Sequence, residues 1–60
     1  MKKKDLIKRL TEAGCFKSRE GGSHEVWTNP RTGKFEFVTR HSGEVPTGTA
    51  MKILKKLVGH

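Results

Sequence analysis

The segment REGGSHEVW, residues 19–27, sets a titratable ring directly after two glycines and a serine, at the mouth of an alternating run. His24 can take or give a proton near neutrality, because imidazole ordinarily titrates at about pH 6.5. Gly21 and Gly22 carry no side chain to obstruct an approaching backbone or phosphate. Ser23 adds a hydroxyl able to bond a phosphate oxygen. Lys17, Arg19 and Arg40 come near His24 if the flanking strands pair, and His41, beside Arg40 and Ser42, is placed to contact a phosphate. The plainer alternative is a histidine that starts a strand and hydrogen-bonds its turn.

Cleavage of an RNA backbone is the reaction that suits these parts. The 2′-hydroxyl is its own nucleophile, so a protein supplies only proton transfer and charge stabilisation. No metal is needed, and none is expected. Asp5 and Glu12 are spaced as solvated charges of one helix, and no cysteine–histidine cluster has zinc spacing. Nor is EGGSH a phosphate-binding loop of the Walker type, for it lacks the spaced lysine that opens a helix. Trp27 reads as core or partner contact before base stacking, Cys15 as a small buried hydrophobe beside Phe16, and His60 as exposed and inert.

Thirteen lysines and arginines against six acids give the 60 residues a net charge of +7. That field favours polyanions, nucleic acid foremost, or an acidic protein partner. One cysteine cannot form an internal disulfide, which points to a reducing compartment. Lys8 and Arg9 interrupt the opening segment before an apolar run develops, and nothing approaches a membrane span. The expectation is a cytoplasmic protein of one domain, residues 1–60, with neither a membrane partner nor a small-molecule cofactor. So small a core leaves room for stabilisation by a partner.

The elements that must position His24 are legible in outline. Leu6, Ile7, Leu10 and Ala13 fall at helical spacing over 3–13, and Gly14 follows as a left-handed stop. Ala50, Ile53, Leu54, Leu57 and Val58 form one apolar stripe on a closing helix, with Thr47 or Thr49 as its cap and Gly59 at its end. Strands are expected at 15–19, 24–28 and 34–40, with Phe35, Phe37 and Thr39 on one side of the third. EGG at 20–22 and NPRTG at 29–33 are turns. The order α-β-β-β-α implies an α+β fold, two one-sided helices lying on one face of a three-stranded antiparallel sheet. Val26 beside Trp27, and Phe37 beside Val38, put apolar surface on both sheet faces. The periodicity leaves open which face is buried, and the other face is available to a partner.

Taken together, the opening KDLIKRLTEAG, the GSH at 22–24 and the closing RHSGEVPTGTAMKILKKLVG resemble the HicA family of toxins, in the same order and spacing over nearly the whole chain. The resemblance implies a double-stranded-RNA-binding-domain-like fold. It also implies ribosome-independent endoribonuclease cleavage of mRNA with His24 as the catalytic residue, and neutralisation by a HicB-like antitoxin. Gly22 and Ser23 then lie in the catalytic motif and His41 in the histidine-containing loop. Cys15 and Thr39 depart from the family pattern, where a large hydrophobe and a proline are common. Two rival readings are a non-catalytic RNA-binding module of the same fold, and a protein-interaction domain whose charge only matches an acidic partner.

Overall fold

The computed structural model describes residues 1–59; His60, expected to be inert, lies outside the described residues. Helix α1 spans Lys3–Glu12 and buries Leu6 and Leu10. It stops where the spacing predicts. Gly14 takes φ +91°, its N–H donates to the Thr11 carbonyl (3.0 Å), and the Cys15 N–H donates to the Leu10 carbonyl (2.9 Å). This pair of hydrogen bonds back into the last turn is a Schellman stop, and only glycine adopts such a φ without steric cost. It also explains why strand β1 is Phe16–Glu20 and not 15–19. Cys15 is still bonded to α1, and its side chain is buried in the core.

Strands β2 (His24–Thr28) and β3 (Phe35–Thr39) follow, the latter one residue shorter at each end than expected. The three strands form one antiparallel sheet in the order β1-β2-β3. The 29–33 hairpin is organised by Asn29. Its Oδ1 accepts the Arg31 N–H, and its carbonyl accepts the N–H of Gly33 at 2.8 Å. Its Nδ2 donates to the Leu57 carbonyl at 2.7 Å, tying the hairpin to the end of the closing helix.

That helix, α2, spans Thr47–Leu57, so Thr47 already lies inside it. Pro46 holds the N-cap position and no side chain caps the helix, which corrects the expectation of a threonine cap. Proline's restricted φ and the Pro46 carbonyl, which accepts the Ala50 N–H at 2.9 Å, begin the turn instead. Ala50, Ile53, Leu54 and Leu57 are buried as a stripe. They join Leu6, Leu10, Cys15, Trp27, Val38 and Val45 in one core. Helix α2 packs on β3 and α1 on α2, so both helices cover the same sheet face. The architecture is the α+β, double-stranded-RNA-binding-domain-like arrangement. Among the described residues, no helix is long and apolar enough to cross a membrane.

The sheet divides the side chains by face. Trp27, Val38 and Glu25 point to the helices and are buried, whereas Phe16, Phe35 and Phe37 are about half exposed on the opposite face. A β-bulge at Ser18 interrupts β1. Lys17 pairs with Trp27, but Arg19 pairs with Val26. Regular pairing would have set Arg19 against Glu25, on the helix side. The extra residue turns Arg19 to the open face, as bulges do when they re-aim a side chain.

Candidate active site

His24 opens β2 opposite Thr39 of β3, on the open face. Its ring lines a cavity of about 410 Å³ together with Arg19, Gly21, Gly22, Ser23, Val26 and Phe37. Ser23 Oγ and His24 Nδ1 are 3.0 Å apart, which fixes one ring nitrogen and leaves Nε2 as the free one. The Phe37 ring meets the imidazole edge-on, centroids 6.3 Å apart at 80°. The turn behind the ring is closed by the Gly21 N–H donating to the His24 carbonyl (2.9 Å) and the Arg40 N–H donating to the Ser23 carbonyl (2.9 Å).

Neither loop glycine is required by its backbone, for the positive-φ glycines are 14, 33 and 59. A Cβ at Gly21 would meet the His24 carbonyl oxygen at an ordinary 3.4 Å, and one at Gly22 would have nothing within 4 Å. What their bareness changes is the wall presented to an incoming molecule.

The neighbouring cations separate into two groups. Glu20 receives Lys17 Nζ at 2.6 Å and Arg40 Nη2 at 3.0 Å. The Lys17 hydrogen bond, then the charge of Arg40, hold the Glu20 carboxyl below its ordinary range, and the same hydrogen bond raises Lys17. Arg40 Nη1 also donates to the Gly21 carbonyl at 3.1 Å, bracing the loop from outside. Arg19, in contrast, has no ion pair among the described residues and lines the cavity. Of the residues singled out in the sequence, Arg19, Gly21, Gly22, Ser23 and His24 therefore share one cavity. Lys17 and Arg40 stand at its back, joined through Glu20. His41 is exposed in the bend after β3 and is not among the cavity's lining residues.

Behind His24, on the helix side, Glu25 accepts Trp27 Nε1 at 3.0 Å and Lys3 Nζ at 3.0 Å. Burial pushes its carboxyl upward, but these two hydrogen bonds and the Lys3 charge outweigh that and hold it below the ordinary value. Lys3 Nζ also donates to the Arg40 carbonyl at 2.9 Å, so α1 ties the start of β2 to the residue that follows β3. Among the described residues no three His, Cys, Asp or Glu side chains gather as a metal site. Val26 and Phe37 are site residues that sequence reasoning did not single out as such. The alternation of Phe35, Phe37 and Thr39 was visible, but the register that sets Phe37 against Val26 was not.

The arrangement can hold a phosphodiester against a cation and a proton-transferring ring at a glycine-walled opening. Comparison with known proteins bears on the family. The family model described as "HicA toxin of bacterial toxin-antitoxin" matches residues 4–57. Neither curated proteins nor solved structures gave a match. With a match spanning both helices and all three strands, the chain belongs to the HicA toxin family of bacterial toxin–antitoxin systems.

Proposed function

We propose that the chain acts as a one-domain cytoplasmic endoribonuclease, cutting mRNA and so stopping translation until a HicB-like antitoxin neutralises it. The observation that carries this reading is the exposed His24 ring, held at Nδ1 by Ser23 beside bare Gly22 and an Arg19 that has no ion pair among the described residues. In the reaction the 2′-oxygen attacks the adjacent phosphorus while its proton leaves to a base. The P–O5′ bond breaks, the 5′-oxygen takes a proton from an acid, and a 2′,3′-cyclic phosphate remains. His24 Nε2 carries one of these transfers. The Ser23 hydroxyl can donate to or accept from Nδ1, so it serves the neutral ring and the imidazolium alike. Arg19 faces the negative charge that grows on the phosphorane oxygens. Lys17, Arg40 and His41 steer the flanking phosphates. None of these steps calls for a metal, since proton transfer and a fixed cation suffice.

The test is cleavage of a long single-stranded RNA with EDTA present, comparing the natural protein with His24→Ala. Positioned acid–base catalysis contributes about 10²–10⁴-fold, so the variant should lose cleavage by at least roughly 100-fold while still folding and binding RNA. Cleavage retained by His24→Ala would remove His24 from the chemistry. RNA bound by both proteins and cut by neither would favour the non-catalytic RNA-binding module.

A further inference from the structure

We propose that the uncovered face of the sheet is a base-stacking platform that selects single-stranded RNA, with Phe37 and Phe35 holding the nucleotides that run on from a phosphodiester at His24. The inference rests on the ribonuclease reading above and names its substrate class.

The chain has three phenylalanines, and all three lie on this face, Phe16 and Phe35 each 49% exposed and Phe37 54%. The only tryptophan is in the core. A domain this short gains most from burying its aromatics, yet it leaves three half-exposed together. A second cavity, about 430 Å³, is lined by Ser18, Arg19, Val26, Thr28, Phe35 and Phe37. It shares Arg19, Val26 and Phe37 with the His24 cavity, so the two form one trough along the strands.

Rings line that trough at even steps. His24 and Phe37 centroids are 6.3 Å apart, and Phe37 and Phe35 are 6.0 Å apart. Each step is nearly twice the 3.4 Å rise of stacked bases, and successive rings stand nearly perpendicular, at 80° and 88°, so bases set against them would be splayed apart rather than stacked on one another. Neither cavity has a carboxylate among its lining residues. Arg19 stands at their junction, and Lys56 Nζ lies 5.7 Å from the Phe35 centroid at the far end.

Aromatic surface flanked by cations is how proteins hold unpaired nucleotides with little regard to sequence. An A-form duplex hides the faces of its bases and offers 2′-hydroxyls and phosphates instead. The trough's exposed rings are therefore of use for unpaired RNA and of none for a duplex.

The experiment uses His24→Ala protein, which keeps the RNA intact, and measures its affinity for a short fluorescent single-stranded oligoribonucleotide and for a hairpin duplex of equal length. The single strand should bind more tightly. Adding Phe37→Ala or Phe35→Ala should weaken single-strand binding by roughly 5- to 150-fold, with duplex binding unchanged. Phe37→Trp should retain affinity, whereas Phe37→Leu, which keeps apolar bulk without a ring, should not. A 2-aminopurine in the oligonucleotide should be quenched on binding and lose that quenching with Phe37→Ala.

Single-strand affinity unmoved within twofold, or equal losses for strand and duplex, would overturn the platform. So would phenylalanine variants that bind RNA normally but no longer bind the antitoxin, which would make the face a protein interface. RNA bound on the rings but never cut by the natural protein would sink the ribonuclease reading alone. No RNA binding by any form would sink both.

Discussion

Glu25 shows how one side chain serves the site without entering it. It follows His24 directly, so the strand's alternation sends it to the opposite face, where Trp27 and Lys3 hold it. Its burial would favour the protonated acid, and the two donors reverse that preference. The folded-state value thus lies below the ordinary glutamate value of about 4.3. In the interval between them the unfolded chain binds more protons than the native one, so the carboxylate's contribution is complete above that ordinary value. It is lost as pH falls through it to the lower folded value. Glu25→Gln keeps the shape but not the charge. Denaturant unfolding should find the variant less stable at neutral pH, and the gap between the two proteins should close as the solution is acidified through this interval. A gap that stays constant would mean that Lys3 and Trp27 gain nothing from the carboxylate's charge. Glu20, gripped by Lys17 and Arg40, shifts in the same direction, but its exposure to solvent screens what it contributes.

Among the elements, the 29–33 hairpin and the end of α2 depend on one another through Asn29. The last carbonyls of a helix have no partner inside it, and the buried Asn29 amide supplies one to Leu57. Asn29→Ala leaves that carbonyl unsatisfied and removes the hairpin's Oδ1 acceptor. The expected cost is about 1–3 kcal/mol, seen as a melting temperature lower by roughly 8–24 °C for a domain of this size. An unchanged melt would show that water replaces the amide. No local pattern in NPRTG announces this tie, because its partner lies 28 residues away. The helices were legible because their stripes repeat every three to four residues, and the Gly14 stop because it is a local steric matter. That His24, Ser23 and Gly22 share one cavity was legible because they are contiguous. The bulge at Ser18 was not. Nothing in FKSRE marks it, and it exists only in the pairing of β1 with β2. That single extra residue decides which cation meets the cavity, separating Arg19 from Lys17 although both looked equally available. The side chosen by the helices was hidden for the same reason, since Val26 with Trp27 and Phe37 with Val38 offered an apolar residue to either face.

For the molecule as a whole, charge and aromatic surface should contribute separately to RNA binding. Glu20, Glu25, Glu36 and Glu44 are each ion-paired, so most of the thirteen lysines and arginines remain to attract a polyanion. Those that meet phosphates displace condensed counterions. For a single strand, log affinity then falls with log salt at a slope of about −0.7 per phosphate neutralised. A strand lying along the trough and touching three to five phosphates should give a slope of roughly −2 to −3.5. Arg19, itself exposed, sits where the two cavities join. Arg19→Ala should therefore make the slope shallower by about 0.7 as well as weakening binding. Phe37→Ala should weaken binding equally at every salt concentration, because stacking releases no ions. Titrations of both variants, in protein that cannot cut, across a range of salt would separate the two contributions. If Arg19→Ala left the slope untouched, no phosphate would sit against it. The bulge that turns Arg19 to the open face would then have another purpose, and the proposed cleavage at His24 would need a different cation.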